Sequence, residues 1–302
     1  MVDQGVPRNR SRASAVTQRN RAAAWSRRRC LQGLASASAV ALLPARAQAE
    51  PDPLDKIRQR GSLVVGLYKD MPPFHVAGAG IDFDLGRALA DDMGLKFSPL
   101  PFDAGENMQD DLRSIVWKGH YLGYGPADVL MHVPVNKALM DSTPQVEIFG
   151  PYYRERLAIA RNLEKVPVLD AMSRIAGLPL AVPGQSLSGW LLLGAENGAY
   201  REQIQTRWAD GAEATHALVR GDVPLAAGMV SELESVVRGD PRFAIEPLPL
   251  PRAPRDGWAV GMAVKKDSTR LAQALQGSLN NLVKNGKLAE IFTKYSVSWK
   301  PV

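Results

Sequence analysis

Between residues 62 and 264, short apolar, β-branched runs alternate with stretches whose apolar residues recur every three or four positions. That switching between two periods confines the chain to an α/β architecture with parallel strands joined by crossovers. Ser62-Leu63-Val64-Val65-Gly66-Leu67-Tyr68 reads as a buried strand. Asp70-Met71-Pro72-Pro73-Phe74 breaks it as a loop, because proline cannot extend a central strand. Asp82 stands where a helix N-cap belongs, Leu85, Ala88, Leu89 and Met93 follow at helical spacing, and Gly94 stops them. A strand is expected over 96–99, then an amphipathic helix carrying Met108, Leu112, Ile115 and Val116, then a strand over 128–131. Leu157-Ala158-Ile159-Ala160 opens a second alternating stretch, with strands over 178–182, 225–227, 243–245 and 258–264. Helices fall around Trp190 and over 212–219 and 230–237. A long helix bearing Leu271, Leu275 and Leu282, and a last one bearing Leu288, Ile291 and Phe292, close the chain.

The first 49 residues are a different kind of segment. They hold nine arginines and one acid, Asp3, then a mildly apolar stretch over 30–43, then Ala47 and Ala49, small residues that suit a signal peptidase. Ser26-Arg27-Arg28-Arg29-Cys30-Leu31-Gln32 resembles a twin-arginine export signal, with Cys30 where an aromatic is usual. The expectation is a periplasmic protein, cleaved after Ala49. Removing those nine arginines and Asp3 from the 37 basic and 31 acidic residues leaves 28 and 30, so the net charge of +6 comes from the leader. A near-neutral body gives no footing for nucleic-acid binding. No apolar run reaches the roughly 18 residues of a membrane span. Cys30 is the only cysteine, so beyond the leader there is no disulfide, thiolate metal site or cysteine nucleophile.

Several motifs, in order, resemble the periplasmic solute-binding proteins of the polar amino-acid class (bacterial extracellular solute-binding protein family 3). They are Leu63-Val64-Val65-Gly66 followed by Pro72-Pro73-Phe74, Gly80-Ile81-Asp82-Phe83-Asp84-Leu85, and Gly150-Pro151-Tyr152-Tyr153. Gly261-Met262-Ala263-Val264-Lys265-Lys266 and Asn285-Gly286-Lys287 complete the set. The resemblance implies a two-lobe α/β periplasmic-binding-protein fold of type II, with two crossover strands forming a hinge. Lobe one would comprise 53–153 plus 259–302, and lobe two 154–258. Ligand would sit between the lobes, which close by hinge bending.

The resemblance also implies where a ligand is held, and this chain departs from the pattern there. Met71, with Tyr68 nearby, stands where a stacking aromatic is usual. His132 and Lys137 occupy the stretch where an arginine clamps the carboxylate. Met229 stands where an aspartate takes the ammonium. Gln185 and Ser186 open the lobe-two helix whose backbone N–H groups bind anions. A zwitterion lacking both charge partners would be desolvated and unpaired. The expected ligand is therefore a small polar or anionic molecule rather than a standard free α-amino acid, held by Tyr68, Met71, His132, Lys137, Gln185, Ser186 and Met229. The first and fourth strands should bring Tyr68 and His132 to one crevice.

An insert, residues 117–126, is rich in rings and glycine, with Trp117, His120, Tyr121 and Tyr124. It either packs its own aromatics or serves as a lid or partner-docking loop at the rim of lobe one. Met131-His132-Val133-Pro134 with Pro151-Tyr152-Tyr153-Arg154 further resembles a divergent branch of the family associated with quinoprotein dehydrogenases. That branch has glycine in place of His132 and lacks the insert. Implied partners are an ABC permease, or a quinoprotein dehydrogenase and its cytochrome. Periplasmic dehydratases of prephenate-like substrates share the scaffold. Glu106, Glu155 and Lys137 could be cast in that chemistry, but their spacing singles out none of them. The four histidines, His75, His120, His132 and His216, form no close-spaced pair, so neither a metal nor a cofactor is expected.

Overall fold

The structure, a computed structural model, describes Pro51–Val302. The expected leader, with Arg27, Arg28, Cys30 and cleavage after Ala49, lies outside the described residues. Among the described residues, no helix is long and apolar enough to cross a membrane.

Two five-stranded sheets organise the chain. The first has the order β4-β1-β5-β12-β6, from strands β1 (Ser62–Tyr68), β4 (Lys96–Phe102), β5 (Val129–Pro134), β6 (Val146–Glu155) and β12 (Trp258–Lys265). β1 runs parallel to β4 and β5, whereas β12 runs against both β5 and β6. The sheet is thus mixed where a parallel one was expected, because β12 re-enters from the opposite end. The second sheet has the order β11-β7-β10-β8-β9, from β7 (Leu157–Asn162), β8 (Leu180–Pro183), β9 (Ile204–Trp208), β10 (Leu225–Met229) and β11 (Phe243–Pro247). β9 carries no strict alternation and was not expected. It pairs in parallel with β8 at the sheet edge.

Helix α1 (Pro53–Arg60) precedes β1, and α2 (Ile81–Asp92) packs on β1 and β4. Leu85 and Leu89 of α2 and Leu63, Val65 and Leu67 of β1 are all essentially solvent-free in one cluster. At about 1.5–3 kcal/mol per buried side chain, this face fixes the orientation of β1. Asp82 is not the N-cap. Gly80 holds that place with φ +137°, where a Cβ would lie 2.1 Å from the Phe74 carbonyl oxygen, and Asp82 is buried in the first turn. The Pro72-Pro73 stretch is a small hairpin rather than an open loop: β2 (Asp70–Met71) pairs with β3 (His75–Val76).

The two strands that link the sheets lie side by side, with Glu155 opposite Trp258 and Tyr153 opposite Val260. A third tie joins the two sheets. After the last helix, Lys287–Lys294, Val297 is fully buried and the Ser298 N–H donates to Glu234 Oε2 at 2.6 Å. The Trp299 indole N–H donates to the Tyr152 carbonyl at 2.8 Å. Glu234 lies on the helix Val230–Val237, which packs on the second sheet, while Tyr152 belongs to β6 of the first.

Candidate functional site

A cavity of about 380 Å³ opens where the two sheets meet, within the size range of small-molecule sites. β1 delivers Tyr68, and the β2–β3 hairpin delivers Met71 and Phe74. The helical segment starting at Met108 brings Met108 and Asp111. The linking strands bring Glu155, Trp258 and Val260, and the second sheet and its following helix bring Met229, Ser231 and Glu232.

His132 reaches this cavity through a local irregularity. Between the pairs Gly261–Val133 and Ala263–Leu130, β5 spends one residue more than β12, a β-bulge. His132 sits in it with φ +62°. Bulges re-aim side chains in this way. The His132 N–H donates to Tyr152 Oη at 3.0 Å, and that hydroxyl donates to Asp82 Oδ1 at 2.7 Å. The imidazole Nδ1 stands 3.2 Å from Asp82 Oδ2, out of line for a hydrogen bond, and the ring meets Phe74 edge-on at 4.1 Å. Tyr152→Phe would strand the buried His132 N–H and one Asp82 oxygen together, each costing about 1–3 kcal/mol. Urea titration of that variant should give a loss of about 2–4 kcal/mol. A loss under about 0.5 kcal/mol would mean that the hydroxyl does not hold the bulge.

Three carboxyl groups border the cavity. Asp111 accepts from Tyr68 Oη at 2.8 Å and from the Gly105 N–H at 2.7 Å. Glu155, 2% exposed, accepts from the Arg156 N–H at 3.0 Å and from the Ser231 hydroxyl. Glu232 Oε2 accepts from the Met229 N–H at 2.7 Å, closing a capping box, and lies against the Cα atoms of Gly211 and Gly228. Burial raises the pKa of all three. Glu232 is pushed up to about 7, by burial first and then by the neighbouring carboxylates Glu155 and Asp210, against the lowering effect of the Met229 and Gly211 N–H groups. Among the described residues, no lysine or arginine lines this cavity.

Of the expected binding residues, Tyr68, Met71, His132 and Met229 converge on this cavity, whereas Lys137, Gln185 and Ser186 are not among its lining. Asn136 caps the short helix Lys137–Ser142, which turns Lys137 into solvent, where it pairs with Asp141 at 2.7 Å. The Ser186 hydroxyl is used locally: it donates to the Pro183 carbonyl and accepts from the Gly189 N–H at the start of helix Leu187–Gly194. Gln185 is exposed. The insert keeps its rings largely to itself. His120 stacks on Tyr124 at 4.3 Å and tilts against Tyr121, while Trp117 and Tyr124 pack on the core beside the first sheet. None of its residues lines the cavity. His75 is buried beside the Tyr68 carbonyl and His216 is exposed. Among the described residues, no three His, Cys, Asp or Glu side chains converge to hold a metal ion. Sequence reasoning passed over Asp111, Glu232 and Trp258.

Two sheets, two adjacent linking strands and a cavity at their junction define the two-lobe α/β fold of periplasmic binding proteins. The chain is similar to an ancestral cationic amino-acid solute-binding protein, with 19% identity and a TM-score of 0.62 over 80% of this chain and 99% of that one. It is also similar to an amino-acid ABC transporter substrate-binding protein from Streptococcus pneumoniae bound to L-arginine, with 19% identity and a TM-score of 0.57 over 83% and 100%. A third similar structure is substrate-binding domain 2 of GlnP from Lactococcus lactis, in an open conformation, with 22% identity and a TM-score of 0.56 over 78% and 95%. No family model matches the chain, and no curated protein sequence matches it.

Proposed function

We propose that this chain is an exported, periplasmic binding protein that closes its two lobes over a small molecule. A free α-amino acid is not that molecule. The observation that carries this reading is the cavity itself, walled by both sheets and floored by the two linking strands, so that ligand contact and lobe closure are one event. The similar proteins described with bound L-arginine favour ligand capture on this scaffold. An α-carboxylate, however, would here meet Asp111, Glu155 and Glu232 with no lysine or arginine to pair it. The same inventory weighs against the anionic ligand that the sequence suggested, and against a dehydratase, whose prephenate-like substrate needs an anion clamp. Delivery to an ABC permease is the natural use of such a protein. The exposed Tyr121 and Leu122 of the insert favour a second use, docking to a partner protein.

The test is a thermal-shift panel of periplasmic solutes with small-angle scattering of every hit. We expect no shift from the standard L-amino acids at millimolar concentration. A true ligand at a hundredfold excess over its Kd should stabilise by about 2.7 kcal/mol and contract the particle. A clear shift with any standard amino acid would overturn the exclusion, and hits without contraction would overturn the closure.

A further inference from the structure

Resting on the ligand-capture reading above, we infer that the cleft takes an organic cation, an amine or guanidine on an apolar body, with no carboxylate of its own. Asp111 comes from lobe one, Glu155 from a linking strand and Glu232 from lobe two, so an acid stands on each wall and on the floor of one cavity. A buried carboxylate needs a cation or a proton to offset its lost hydration. Among the described residues, the lining offers no lysine or arginine, and its one basic side chain, His132, is shared between Asp82 and Glu155. The groups hydrogen-bonded to the three acids bring no positive charge: Tyr68 and Gly105 on Asp111, Arg156 N–H and Ser231 on Glu155, Met229 and Gly211 N–H on Glu232.

Without ligand, burial lets these acids hold protons, and a cation carried in by the ligand can take the place of those protons. A bare metal ion does not fit, because no three ligating side chains converge among the described residues. The remaining lining supplies what an organic cation uses: the Trp258 and Phe74 rings, which attract ammonium and guanidinium groups, and Met71, Met108 and Met229 as adaptable apolar wall. Dispersed acids around an apolar lumen suit positive groups carried on hydrocarbon, one or two per molecule.

Isothermal titration with four matched probe sets tests this. Butyl, benzyl, phenylethyl and indolylethyl bodies are each presented as amine, alcohol and carboxylate. The α-amino acids of like body form the fourth set, and putrescine and agmatine join the amines. The amine set should contain the tightest binder. Asp111→Asn and Glu155→Gln should each weaken that binder by about tenfold or more, while leaving the matched alcohol unchanged. Lys137→Ala should alter neither. If carboxylates or alcohols bind more tightly than amines, the organic-cation assignment fails and ligand capture stands. If no set binds and scattering detects no closure, the capture reading fails and takes this inference with it. Should Glu155→Gln not fold, Asp111→Asn alone decides: equal affinity for the amine in variant and wild type overturns the assignment.

Discussion

Replacing Glu232 by glutamine should make the protein about 3 kcal/mol more stable at pH 8 and leave its stability at pH 4 unchanged. In the unfolded chain this carboxyl titrates near 4.5, and in the folded protein burial holds it up to about 7. Below 4.5 both states carry the proton and no penalty exists. Between 4.5 and about 7 the folded state binds more protons than the unfolded one, so stability falls as pH rises. Above about 7 the full cost of the buried charge persists. Moving a carboxyl over that interval corresponds to roughly 3 kcal/mol. Glutamine keeps the oxygen that accepts from the Met229 N–H and removes the charge. Urea midpoints of both proteins at the two pH values check this, and a constant difference across pH would show that Glu232 is not the titrating group.

Gly257→Ala is expected to cost about 3 kcal/mol or more. Gly257 enters β12 with φ +62°, and a Cβ there would lie 1.8 Å from the Glu155 carbonyl oxygen and 2.5 Å from Arg156 Cγ. Relief requires parting the two linking strands, so ligand affinity should fall with stability. Gly286→Ala is the control: φ is +79° but nothing lies within 4 Å, so only the backbone term of about 1 kcal/mol applies. Equal losses in the two variants, read by thermal unfolding, would show that the close approach at the hinge is not what Gly257 serves.

The fold was legible wherever one period ran unbroken. β1 and the helix Val230–Val237 begin and end where their apolar patterns do. The cleft was legible only in part, for three physical reasons. Strand-end logic found Tyr68 and His132, but the bulge that aims His132 depends on pairing with β12, more than a hundred residues away. The same logic misled at Lys137, because Asn136 starts a helix that turns the chain outward. The acid missing at Met229 stands three residues later at Glu232, and its carboxylate folds back onto the Met229 N–H. That return is a capping geometry no strand pattern reveals. Asp111 did leave a signal: it falls between Met108 and Leu112 on an otherwise apolar stripe, and a lone carboxyl there has to find a polar partner or a cavity. Glu155 and Trp258 meet only through register, so neither position stands out in one dimension.

The end of the chain clips to both halves of the molecule, through Ser298 on Glu234 and Trp299 on Tyr152. In a protein that closes its lobes as proposed, these two bonds would leash the swing, and their slack would help to set how wide the cleft opens. Anything fused after Val302 begins almost at the clip. A purification tag or fluorescent protein placed there would tug on the leash and bias the measured opening, so reporters of closure belong on the outer faces of the lobes.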